Sequence, residues 1–163
     1  MKKNRIVLER TYAASLRQVW DLWTTKEGIE SWWGPEGFTV EVLEHDLRPG
    51  GRLHYAMTAR APEIVAFMKQ AGLPLTNHAH ATFGEVAPPR FFTYASLVDF
   101  VPGVAPYTIQ NRIELVPIEN GTRTITTVEA LHDEEWTNRL VTGRKSQLDK
   151  LETLIDAEKG GAR

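Results

Sequence analysis

Hydrophobic positions change period along this chain, and each change marks a new kind of element. Residues 5–12, RIVLERTY, set Ile6, Leu8 and Arg10 on one parity and Val7 on the other, the pattern of a half-buried strand. Ser15 stands where a helix cap belongs, and after it Leu16, Val19, Trp20 and Trp23 fall at i, i+3, i+4 and i+7, one apolar helical stripe. A second short helix is expected over Lys26–Trp32, stopped at Gly34-Pro35 because a proline pushes the residue before it away from helical angles. From Phe38 onward the period falls to two. Turn signals at Pro49-Gly50-Gly51, Pro88-Pro89, Pro102-Gly103 and Asn120-Gly121 separate strands expected near 38–45, 52–60, 78–87, 91–98, 106–117 and 122–131. One interruption, Pro62–Gly72, orders Ile64, Val65, Phe67 and Met68 helically and reads as a lid or edge helix. Asp133 caps a last helix of some twenty residues, with Glu134 and Glu135 in its first turn and Trp136, Leu140, Leu148, Leu151 and Ile155 along one side. Gly143, Arg144 and Gln147 break that stripe with small or polar groups.

These elements amount to an α+β domain over 1–158 with a loose tail over 159–163, and 163 residues suffice for one core without staples. Nineteen Lys and Arg against twenty-one Asp and Glu leave a net charge of -2, which gives no electrostatic footing for a nucleic acid partner. Cysteine is absent, excluding disulfides, thiolate metal sites and cysteine nucleophiles, and the opening MKKNRIVLERTY has no apolar signal core. A cytoplasmic, membrane-free protein is expected. GxSxG, GxxxxGK[ST] and an appropriately spaced GxGxxG are all missing, which argues against serine hydrolases, P-loop NTPases and Rossmann dehydrogenases.

Several local sequences together resemble a known family. They are RTYAASLRQVWDLWTT after the first strand, Trp32-Trp33 before Gly34-Pro35, the turn Asp46-Leu47-Arg48-Pro49-Gly50-Gly51, the segment Gly84-Glu85-Val86-Ala87-Pro88-Pro89-Arg90, the opening Gly121-Thr122-Arg123, and Trp136 early in the last helix. In this order they resemble the SRPBCC (START-like, Bet v 1-like) superfamily, within it the subgroup related to the activator of the 90-kDa heat-shock protein ATPase. The resemblance implies a helix-grip fold, a curved antiparallel sheet wrapped around the terminal helix, and a cavity between them. It also implies three roles: carriage of a hydrophobic or amphipathic small molecule, a polyketide cyclase/aromatase-like or hydrolase-like reaction in the same cavity, or co-chaperone docking on an ATPase. Two features depart from the subgroup: the inserted segment 62–72, and Arg144 where relatives often carry Trp after Gly143.

Strand alternation gives the cavity wall. One face presents Leu53, Tyr55, Met57, Phe92, Tyr94, Ser96, Tyr107, Ile109, Asn111, Thr124, Thr126 and Val128, an apolar surface with scattered hydroxyls that suits a ligand pocket and equally an ordinary core. The expected ligand-binding set is Trp32, Trp33, Tyr55, Met57, Met68, His78, His80, Phe92, Tyr94, Tyr107, Asn111, Thr126, Trp136, Leu140 and Arg144. Arg144 on the inward stripe could clamp an anion bidentately, snorkel outward, or pair with Asp99 or Glu129. His78-x-His80, with His54 or His132, raises zinc ligation, but without a carboxylate at a recognised spacing no metal or other cofactor is expected; His78, His80, Tyr94 or Arg144 would move protons if the cavity were catalytic. Four of the five tryptophans lie within residues 20–33, and Trp32-Trp33 admits three meanings: stacking at the pocket mouth, plain packing, or a protein interface. Homodimerisation through a sheet edge or segment 62–72 is also open.

Overall fold

The computed structural model describes residues 4–161. Strand β1 (Arg5–Tyr12) is followed by α1 (Leu16–Thr24) and α2 (Lys26–Trp32); then come β2 (Phe38–His45), β3 (Arg52–Ala59), α3 (Pro62–Gln70), β4 (Thr76–Ala87), β5 (Phe91–Val98), β6 (Tyr107–Ile118), β7 (Gly121–Glu129) and α4 (Glu134–Gly161). The strands form one seven-stranded antiparallel sheet in the order β1-β7-β6-β5-β4-β3-β2. Strands β2 to β7 pair in sequence, and β1 returns to the free edge of β7, from Arg5 opposite Glu129 to Tyr12 opposite Thr122. With α4 against the inner face and two short helices after the first strand, this is the expected helix-grip architecture.

Local chemistry fixes the elements. Ser15 Oγ accepts from the Gln18 amide at 3.2 Å while Gln18 Oε1 accepts from the Ser15 amide at 2.8 Å, a reciprocal cap that starts α1. Thr25 ends α1 and caps α2, its hydroxyl accepting from the Gly28 amide at 3.0 Å. A Cβ at Gly28 would lie 2.3 Å from the Asp21 carbonyl, so only glycine allows the two helices to turn this tightly. Asp133 caps α4 as expected, Oδ1 accepting from the Trp136 amide at 2.8 Å. Helix α4 is longer than expected, 28 residues to Gly161. Residues 162–163 of the expected tail lie outside the described residues.

The last hairpin forms where expected, but its turn is shifted. Ile118 pairs with Gly121, so Glu119 and Asn120 make the loop and Asn120 alone takes a positive φ, 64°. Gly121 serves a different purpose: a Cβ there would meet the Tyr12 carbonyl at 2.3 Å, where β1 ends against β7. Two strands carry an extra residue. The ladder shifts at Leu43 in β2 and between Phe83 and Val86 in β4, and each bulge reverses which parity faces inward.

Two apolar clusters fill the inner side. The larger joins Trp20, Trp23, Trp32 and Trp33 to Phe83, Phe92, Ile113, Leu115, Leu148, Leu151 and Ile155, with Trp23 edge-on to Trp32 at 4.6 Å. The smaller joins Val98, Val101, Ile109 and Val128, with Tyr107, Trp136 and Leu140 packed on it.

Candidate functional site

The site lies where those clusters fail to meet. Leu53, Phe92, Ile113 and Leu115 on the inner face of the sheet are buried, yet their inward-facing neighbours Tyr55, Met57, Ser96 and Tyr107 are only half-buried. On α4 the same holds for Trp136, Leu140, Arg144 and Gln147, while Leu148 and Leu151 are buried. The backbone of α4 packs against α2 and β1 and stands off from the central strands. Gly143, at the flank of the inward stripe, faces open space, with no atom within 4 Å of a Cβ built on it. The inward-facing side chains between the first half of α4 and the sheet are therefore left within reach of water.

A polar belt crosses this region. Arg144 Nη2 donates to Asn111 Oδ1 at 2.6 Å. Asn111 is 1% exposed, and its amide nitrogen donates to Ser96 Oγ at 3.0 Å and to the Tyr94 and Ile109 carbonyls, each at 3.3 Å. Those three acceptors fix which way the amide faces and aim Oδ1 at α4. Beside the belt, Trp33 lies 5.6 Å from Tyr55 and 5.9 Å from Tyr94, centroid to centroid, and its backbone carbonyl accepts from Gln147 Nε2. The Trp33 indole N–H is buried without a partner among the described residues. Burial of the Tyr55 phenol, and then nearby Tyr94, holds its pKa well above the ordinary phenol value, with the Arg144 charge opposing the rise.

The opposite face of the sheet carries a second assembly. His54 Nε2 and His78 Nδ1 share a hydrogen bond of 2.8 Å, and the His54 and His80 rings stack at 4.2 Å. With Glu44, Arg52, Thr82, Leu97, Asp99 and Thr108, His54 and His80 line an open depression of about 590 Å³. Among the described residues, no group of three or more His, Cys, Asp or Glu is arranged to hold a metal ion.

A family model described as Activator of Hsp90 ATPase homolog 1-like protein matches residues 13–156. The chain belongs to this family. Solved structures with the same fold include a protein from Chromobacterium violaceum, 24% identical with a TM-score of 0.77, covering 93% of this chain and 96% of that one. An AHSA1 protein from Silicibacter pomeroyi is 22% identical at a TM-score of 0.72, covering 95% and 99% of the two chains. An AHSA1-like protein from Aeromonas hydrophila is 17% identical at a TM-score of 0.75, covering 96% and 94%. No curated protein sequence matches the chain. At these identities the structural likeness shows the AHSA1-like fold alone. None of the described helices is long and apolar enough to cross a membrane.

Within this AHSA1-like fold, the structure gathers Trp33, Tyr55, Tyr94, Asn111 and Arg144 of the expected set. Met57 flanks them on β3, while Tyr107, Trp136 and Leu140 sit at the smaller cluster, where the Tyr107 hydroxyl bonds His132 Nδ1 at 2.7 Å. Thr126 is buried and donates to the Leu8 carbonyl at 3.0 Å. Others lie away from this group. Trp32 is 2% exposed and spends its N–H on the Leu22 carbonyl at 2.7 Å, Phe92 is fully enclosed in the larger cluster, and neither stands at a pocket mouth. Met68 is the buried residue of α3, on which Ile64 and Val65 are half-buried and the rest exposed. His78 and His80 require correction: the β4 bulge sends Ala79, Ala81 and Phe83 inward, so the histidines point to the outer face, away from α4. Asp99 and Glu129 are not partners of Arg144 either, because Asp99 lines the outer depression and Glu129 accepts from the Gln110 amide. Ser96 and Gln147 were missing from the expected set; the signal for each is a polar side chain on an inward position.

Proposed function

We propose that a hollow lies between the sheet and the first half of α4 and that the protein binds an amphipathic small molecule in it. The observation that carries this reading is the gap between the two apolar clusters, where Tyr55, Met57 and Leu140 face inward yet remain half-buried. Apolar surface left in reach of water gains roughly 25 cal/mol per Å² when covered, and a ligand with an apolar body covers it without rearranging the core. Family membership supports a ligand-binding or co-chaperone role in general terms, and the hollow favours the ligand. Binding is also favoured over catalysis. The belt holds an amide, hydroxyls and a guanidinium; Tyr55 is pushed towards remaining protonated, and no imidazole or carboxylate hydrogen-bonds to the belt among the described residues.

Titration with the neutral fluorophore N-phenyl-1-naphthylamine tests this. Saturable binding at one site per chain is expected, and Ser96→Phe, which projects a ring into the hollow from β5, should weaken it at least about tenfold. Absence of saturable binding, or unchanged binding in a folded Ser96→Phe variant, would overturn the reading.

A further inference from the structure

Resting on the ligand-binding reading, we infer that the hollow selects ligands carrying a carboxylate, with Arg144 as its receptor and Asn111 as the residue that positions Arg144. A guanidinium presents five N–H donors in a planar fork, and the protein engages it through the single bond to Asn111 Oδ1. Arg10, Arg17, Arg48, Arg112, Arg123 and Arg139 each meet an aspartate or glutamate; of the described arginines that meet none, Arg5, Arg52, Arg60 and Arg90 are exposed, whereas Arg144 is half-buried. A half-buried cation without a counter-ion is held at a cost that its surroundings ordinarily offset with an anion.

Here the surroundings are built to keep it in place. Asn111 is locked by three acceptors from β5 and β6, so its oxygen steers the guanidinium into the hollow instead of neutralising it. An aspartate at the same position would have closed the site with an internal ion pair. The aromatic side formed by Trp33, Tyr55 and Tyr94 lies beside this cation. A planar carboxylate matches the fork by two parallel N–H···O bonds. The apolar flanks at Met57 and Leu140 suit the body of the same molecule. The ligand class is thus an amphipathic monocarboxylate.

Calorimetric titration at pH 7.5 with decanoate and with decanamide, its neutral isostere, separates the head group from the body. In the wild-type protein decanoate should bind about tenfold tighter or more, as charge-assisted bonds outweigh neutral ones. Arg144→Met should remove that preference and leave decanamide affinity within about twofold, while Arg144→Lys, which keeps the charge without the fork, should keep only part of it. Equal affinity for the two ligands in the wild-type protein overturns the inference while leaving the hollow standing, and needs no variant. A preference that persists in folded Arg144→Met overturns it as well. Binding of neither ligand overturns both this inference and the hollow.

Discussion

Asn111 shows how one residue can join three elements: its amide nitrogen reaches the Tyr94 carbonyl and Ser96 Oγ of β5 and the Ile109 carbonyl of its own strand β6, and its oxygen accepts from Arg144 of α4. On the outer face, His54 plays a comparable part in a different currency. Its partial burial, and then His80 and His78, lower its pKa below the ordinary imidazole value, against the opposing pull of Glu44. The unfolded chain, with imidazole near ~6.5, takes up this proton more readily than the folded one. Stability present above that value is therefore lost as pH falls through and below it. Urea midpoints at pH 7.5 and pH 5.5 should show a larger acid loss for the wild type than for His54→Gln; equal losses would remove His54 from the account. At this scale the sequence was legible where a residue broke a helical stripe, as Arg144 does among Leu140, Leu148 and Leu151. It was not legible for His78 and His80, whose facing depends on one extra residue at Gly84-Glu85, which alternation alone does not reveal.

At the scale of elements, α4 carries two opposed demands. Its second half packs Leu148, Leu151 and Ile155 into the larger cluster, while its first half is held off the sheet around Gly143 and Arg144. Glycine inside a helix costs roughly 0.5–1 kcal/mol relative to alanine, and the open space in front of Gly143 means an added methyl clashes with nothing. Gly143→Ala is therefore expected to raise the unfolding free energy by about that amount in urea denaturation. Gly28→Ala should do the reverse, since its methyl would press into the backbone of Asp21 and Leu22. Element boundaries were legible because caps and turn residues sit at them: Ser15, Gly34-Pro35 and Asp133 each mark one. The turn after β6 was found but misplaced by one residue, because Asn120 and Gly121 both tolerate positive φ and only the close approach of Tyr12 assigns the glycine to the strand.

At the scale of the whole molecule, the two clusters divide the domain into a tightly packed end and a looser one. Native-state hydrogen exchange should find the amides around Ile113 and Leu115 among the slowest, and those around Ile109 and the first turns of α4 opening sooner. Uniform protection across β6 would contradict the division. Alternation and turns made the run of hairpins from β2 to β7 legible, but nothing local announces that β1 belongs beside β7. That partnership joins positions as far apart as Arg5 and Glu129. On a ribosome, β1 must wait until β7 has been synthesised before it meets its partner. During that interval β1 and the open edge of β6 are bare templates, and a second nascent chain can supply the missing strand. Exchange of β1 between copies is thus the misassembly to which this topology is most open.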